Sequence, residues 1–62
     1  MNVFENKRIS SGLKRSEAAN HLGISYMYIY YIEKGKRKPS KPVIKNMCEL
    51  YNCKLEELFF AS

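Results

Sequence analysis

Apolar residues along this chain fall into short groups at helical spacing, separated by glycine, proline and polar clusters. Val3, Phe4 and Ile9 give a thin apolar face to a first predicted helix from about Val3 to Ser11, with Asn2 placed to cap it and Gly12 to end it. Ala18, Ala19 and Leu22 mark a second helix, Arg15 to Leu22, stopped by Gly23. Two adjacent alanines let another helix approach closely. A third helix follows the N-cap residue Ser25 and runs to about Lys34, with Ile29 and Ile32 inward, until Gly35 closes it. Ser40 caps a fourth, from about Lys41 to Tyr51, in which Pro42 falls in the first turn, where a missing N–H costs little. Ile44, Met47, Cys48 and Tyr51 form its inner stripe, with Leu50 partly covered. Asn52 can end it in the left-handed region, and a last turn or two, Leu55 to Phe60, is expected to return Leu55, Leu58 and Phe59 to the core. No period-2 run bounded by hairpin turns breaks this pattern, so the predicted fold class is all-α.

Size limits what such a chain can do. With 62 residues there is one domain, 1–62, which buries only roughly 60% of its unfolded surface and has little material for the walls of a catalytic cleft. No Gly-rich phosphate loop, paired carboxylates or Ser/His/Asp arrangement occurs, so the chain reads as a non-enzyme without cofactors. Cys48, Cys53 and the one histidine, His21, would give three metal ligands at a spacing that matches no zinc pattern; no metal is expected, and the cysteines read as free thiols. No apolar run approaches the roughly 20 residues of a membrane helix, and MNVFENKR lacks the apolar stretch of a signal peptide. The expectation is a cytoplasmic protein with no membrane partner.

Charge adds a direction. The net charge is +5, but residues 1–42 hold nine basic and three acidic side chains, whereas residues 43–62 hold two and three. A lopsided basic surface suits a polyanionic partner, and it equally suits a solvated face kept for solubility. Charge alone does not separate the two.

The segment RSEAANHLGISYMYIYYIEK, about residues 15–34, does. A helix-turn-helix needs a small residue at the helix crossing (Ala19), a glycine in the turn (Gly23) and aliphatics that lock the second helix (Ile24, Ile29, Ile32). All are present, and IEKGKRKPS follows. Together with KRISSGL near the start and LEELF near the end, this sequence closely resembles the Cro and phage-repressor helix-turn-helix family from about Phe4 to Phe59. The resemblance implies a compact five-helix, lambda-repressor-like domain, bacterial or phage-encoded. It also implies a function: sequence-specific binding of double-stranded DNA as a transcriptional regulator, a repressor, usually as a homodimer on a palindromic site. It further suggests that Glu33 pairs with Arg8 as a structural ion pair.

Departures from the family refine the expected site. Lys14-Arg15 stands where the family usually has Thr-Gln, so a hydroxyl cap worth about 1 kcal/mol is lost and two charges are gained where the family's glutamine touches phosphate. Lys14 and Arg15 are therefore expected on phosphates, together with Lys34, Lys36, Arg37, Lys38 and Lys41 around the basic loop. Base reading falls to Ser25, Tyr26, Met27, Tyr30 and Tyr31, with Tyr28 at the border. Family members commonly carry Gln, Arg, Asn or Ser on this face, which read base edges by hydrogen bonds; tyrosine and methionine would instead pack on thymine methyls and follow DNA shape. Two other readings stay open: a patch for a protein partner, as in an anti-repressor, or tyrosines packed inward as an aromatic core. Tyr51 and Phe60 are the candidate dimer contacts.

Overall fold

The computed structural model describes residues 2–59 and contains five helices in chain order: α1 (Val3–Ser10), α2 (Arg15–Leu22), α3 (Tyr26–Glu33), α4 (Lys41–Tyr51) and α5 (Leu55–Phe59). Their bounds differ from the predicted ones by a residue or so, because the starts and stops are fixed by local chemistry. Asn2 Oδ1 accepts the N–H of Glu5 at 3.0 Å, Ser25 Oγ that of Tyr28 at 3.0 Å, and Ser40 Oγ that of Val43 at 3.4 Å. At α2 there is no side-chain cap, since a lysine at Lys14 has no acceptor to offer. Glu17 compensates in part by accepting the Lys14 backbone N–H at 2.8 Å.

The turn between α2 and α3 depends on one left-handed residue. Gly23 sits at φ +68°, so its own N–H reaches the Asn20 carbonyl at 3.2 Å and that of Ile24 reaches the Ala19 carbonyl at 3.1 Å. The chain thereby leaves α2 at an angle and enters α3 within three residues. Asn52 makes the same left-handed ending for α4, at φ +53°.

Each helix contributes to a single core of Phe4, Ala18, Ala19, Ile29, Ile32, Ile44, Met47, Tyr51 and Leu58. Ile29, Ile32, Met47 and Leu58 are the largest side chains wholly withdrawn from water, each stabilising the fold by about 1.5–3 kcal/mol. Ala18 and Ala19 lie on the face of α2 that packs on both α3 and α4. A larger side chain at Ala18, which has no exposed surface, would overpack the crossing at a cost of about 1–3 kcal/mol.

The core differs from expectation at its ends. Ile9 on α1 is exposed, and Leu55 and Phe59 do not complete the interior, being 51% and 39% exposed. Over its five described residues α5 turns a single side chain, Leu58, fully inward. Leu55 and Phe59 instead join Ile44 and the stems of Lys41 and Lys45 around an apolar groove of about 360 Å³ on the α4–α5 side. Tyr51 belongs to the core at 5% exposure, which removes it as a surface for a partner. Phe60, the other candidate dimer contact, lies outside the described residues. Among the described residues no helix is long and apolar enough to cross a membrane.

Candidate nucleic-acid interface

Burial of Ile29 and Ile32 fixes which way α3 faces. Its outer surface carries Tyr26 and Met27, each about half exposed, with Tyr30 and Tyr31 half-buried behind them and Lys34 exposed at the end. Of the aromatics on this helix Tyr28 is partly buried and packs against the core, while the tyrosine that belongs to the core itself is Tyr51 on α4. Ser25 opens the surface. Its oxygen accepts the Tyr28 N–H as the cap of α3, which leaves the hydroxyl hydrogen still able to donate.

Beyond α3 the backbone turns sharply at Gly35, φ +76°, whose N–H bonds the Ile32 carbonyl at 3.1 Å while that of Lys36 bonds the Tyr31 carbonyl at 2.9 Å. Lys36, Arg37 and Lys38 are all exposed on the loop that follows, and buried Pro39 pins its far end. Tyr28 pins the loop as well. Its hydroxyl accepts the Ser40 N–H at 3.3 Å, and the Arg37 guanidinium lies 5.6 Å from its ring centroid. Sequence periodicity left Tyr28 at the border of the reading face, because a bond spanning twelve residues has no local signature. Lys34 likewise stands over Tyr30, at 5.5 Å, so the basic and aromatic residues interleave. Lys14 is exposed at the start of α2, and Lys41 at the start of α4.

Arg15 lies elsewhere than a free phosphate contact would. Its Nε donates to Glu33 Oε1 at 2.9 Å and its Nη2 to Glu5 Oε2 at 3.2 Å. The other face of the same carboxylate belongs to Arg8, whose Nε donates to Glu33 Oε2 at 2.7 Å and whose Nη1 donates to the Leu13 carbonyl at 2.8 Å. Glu33 has no exposed side-chain surface, and two guanidinium groups satisfy it. Glu5 completes the set, a residue that sequence reasoning missed. Two arginines and two glutamates join α1, α2 and the C-terminal end of α3 with no net charge. A further tie, from Asn2 Nδ2 to the Ile32 carbonyl at 2.8 Å, holds the same end of α3 to the start of α1.

The outcome is a helix clamped from behind and presented outward, with a turn from α2 at one end and a cationic loop at the other. The sequence profile of the helix-turn-helix family matches residues 4–58, nearly the whole chain. Curated proteins and solved structures provide no match. Helix order, the glycine turn and the profile agree, and the chain belongs to the Cro and phage-repressor type of helix-turn-helix family, a family of DNA-binding regulators.

Proposed function

We propose that this protein is a sequence-specific transcriptional repressor that lays α3 in the major groove of double-stranded DNA and binds as a homodimer. The observation that carries the reading is the exposed Tyr26–Met27 surface of a helix buried on its other side and bordered by Lys34, Lys36, Arg37 and Lys38. An α-helix fits a major groove about 12 Å wide, and the adjacent loop then runs beside a phosphate strand. Lys14, Lys34, Lys36, Arg37, Lys38 and Lys41 supply affinity without sequence choice, whereas Ser25, Tyr26, Met27, Tyr30 and Tyr31 supply the choice. Apolar phenol and thioether groups favour the C5-methyl of thymine.

Selection from a random duplex pool at physiological salt tests this directly. Enriched sites should contain thymines whose replacement by deoxyuridine, which removes only the methyl, lowers affinity roughly tenfold. An enriched site indifferent to that replacement would remove methyl contact from the account. No enrichment at all would favour a second reading, in which Tyr26 and Met27, at 48% and 49% exposure, form the centre of a patch for a protein partner.

For the homodimer, the α4–α5 groove is the proposed contact. α5 packs chiefly on α4 and α1, so a second copy seated there leaves α3 uncovered. Lys45 lines the groove and Glu56 is exposed on α5, and in the proposed two-fold arrangement Lys45 of each copy would face Glu56 of the other.

A further inference from the structure

Arg15 makes more contacts with α3 than a residue at the start of α2 needs in order to hold the fold. Besides Glu33 and Glu5, its Nη1 donates to the Tyr26 hydroxyl at 3.4 Å. Its guanidinium carbon lies 5.9 Å from the Tyr26 ring centroid and 5.2 Å from that of Tyr30. These two tyrosines are one helical turn apart on the outer face, and a single planar cation touches both rings. An exposed aromatic side chain such as Tyr26, and to a lesser degree the half-buried Tyr30, would otherwise sample several rotamers and lose that freedom on meeting DNA. With its position fixed by two carboxylates, the guanidinium supplies a rigid anvil for both rings.

The same bonds remove Arg15 from phosphate binding. Arg8 and Arg15 are balanced by Glu5 and Glu33, so no net positive charge is left at this spot to displace counterions. Swinging Arg15 to a phosphate would break its bonds with Glu33 and Glu5 and release both rings. Lysine could not substitute, since an ammonium lacks the planar fork and the flat face.

Resting on the DNA reading above, we propose that Arg15 is a positioning residue for specificity: it holds Tyr26 and Tyr30 as a preset pair on the reading face of α3 and contributes no phosphate affinity. Its counterpart in function is the ordered supporting shell beneath a binding site, in which a contact's precision depends on the residue behind it.

Arg15→Lys keeps the charge and removes the clamp. Two measurements read the consequence. In the free protein, NMR shifts of the Tyr26 and Tyr30 rings should move while those of Tyr51 stay; the chain has no tryptophan to obscure a parallel near-ultraviolet circular dichroism signal from tyrosine. On DNA, the ratio of selected-site to random-duplex affinity should fall roughly tenfold, with the slope of log affinity against log salt unchanged. A preserved ratio, with Arg15→Ala reducing the slope by about one, would make Arg15 a phosphate contact and overturn the proposal. Ring shifts that do not move would overturn it as well.

Tyr30→Leu removes the nearer, half-buried ring but keeps an apolar side chain there and leaves Glu33 untouched, and so covers the case in which Arg15 variants lose the fold. It should lower the same ratio, and Arg15→Lys added to it should lower the ratio little further; full additivity would count against the clamp. A parent protein without sequence preference defeats the DNA reading itself, and the ring shifts of the free protein still decide whether the clamp exists.

Discussion

Two exposed apolar surfaces of this small domain differ in their surroundings. On α3, Tyr26 and Met27 stand among cations: Arg15 touches the Tyr26 and Tyr30 rings, Lys34 covers Tyr30 and Arg37 covers Tyr28. On the α4–α5 side, Leu55 and Phe59 border a groove lined also by Lys41 and Lys45, while the same helix α5 carries Glu56 and Glu57. Apolar groups framed by positive charge suit a polyanion, and those framed by both signs suit another protein surface. The halves are also held differently. Buried Glu33 joins Arg8 and Arg15 behind α3, whereas α5 is tied to α1 by an exposed pair, Lys7 Nζ to Glu57 Oε1 at 2.7 Å. That hydrogen bond raises the Lys7 pKa and lowers that of Glu57.

The strongest way to break the contrast is to remove the acid from each half. Glu33→Ala takes the closer carboxylate from Arg8, only 7% exposed, leaving Glu5 at 3.7 Å, and should cost about 3–5 kcal/mol in urea unfolding, a large share of a small domain's stability. Glu57→Ala removes a solvated pair together with the bond by which Glu57 accepts the Lys54 N–H at 2.8 Å at the start of α5, and should cost only about 1 kcal/mol. Equal losses would show that burial does not separate the two ion pairs.

Next in size is the charge on the loop. Lys36→Ala with Lys38→Ala, sparing the Arg37 that stacks on Tyr28, should weaken selected and random duplexes alike by roughly 10- to 30-fold and reduce the salt slope by about two. Preferential loss of the selected site would move base reading into the loop. On the opposite surface, Leu55→Asp should shift the monomer–dimer balance toward monomer in sedimentation, with helicity retained because Leu55 is already half in water. An unchanged balance would take the groove out of the interface.

These contrasts were unevenly legible in the sequence. The elements were readable because their signals are local: Asn2, Ser25 and Ser40 cap within three residues, and Gly23 and Gly35 bend the chain where they stand. The inner face of α3 followed from the spacing of Ile29 and Ile32. What distance brings together was not readable from spacing. Glu5, Arg15 and Glu33 lie on three helices, and nothing in the run Lys14-Arg15 tells that Arg15 turns back to two carboxylates while Lys14 stays in water. Apolar character likewise placed Leu55 and Phe59 in the core, yet among the described residues of α5 only Leu58 is fully buried. Tyr51 was read in two ways, on the inner stripe of α4 and as a dimer contact, and its burial leaves only the first.

Tyr51 also yields the smallest effect and a clean sign. Its hydroxyl is buried and finds no hydrogen-bond partner among the described residues. Burial pushes its pKa from 10.0 up to about 12, Glu33 adding to the rise and Arg8 opposing it. The folded state therefore keeps this proton longer than the unfolded chain does. Below about pH 10 neither state has lost it and its effect on stability is constant; between about pH 10 and 12 the unfolded chain ionises first, and stability falls as pH rises. Tyr51→Phe removes the orphaned hydroxyl with the ring retained, so at neutral pH it should be neutral or stabilising by up to about 1 kcal/mol. Its margin over the parent should widen as urea titrations are repeated from about pH 9 to 11. A margin that stays constant would mean that the phenol ionises as readily in the core as in water, and a loss of stability at neutral pH would mean that the hydroxyl has a partner in solution.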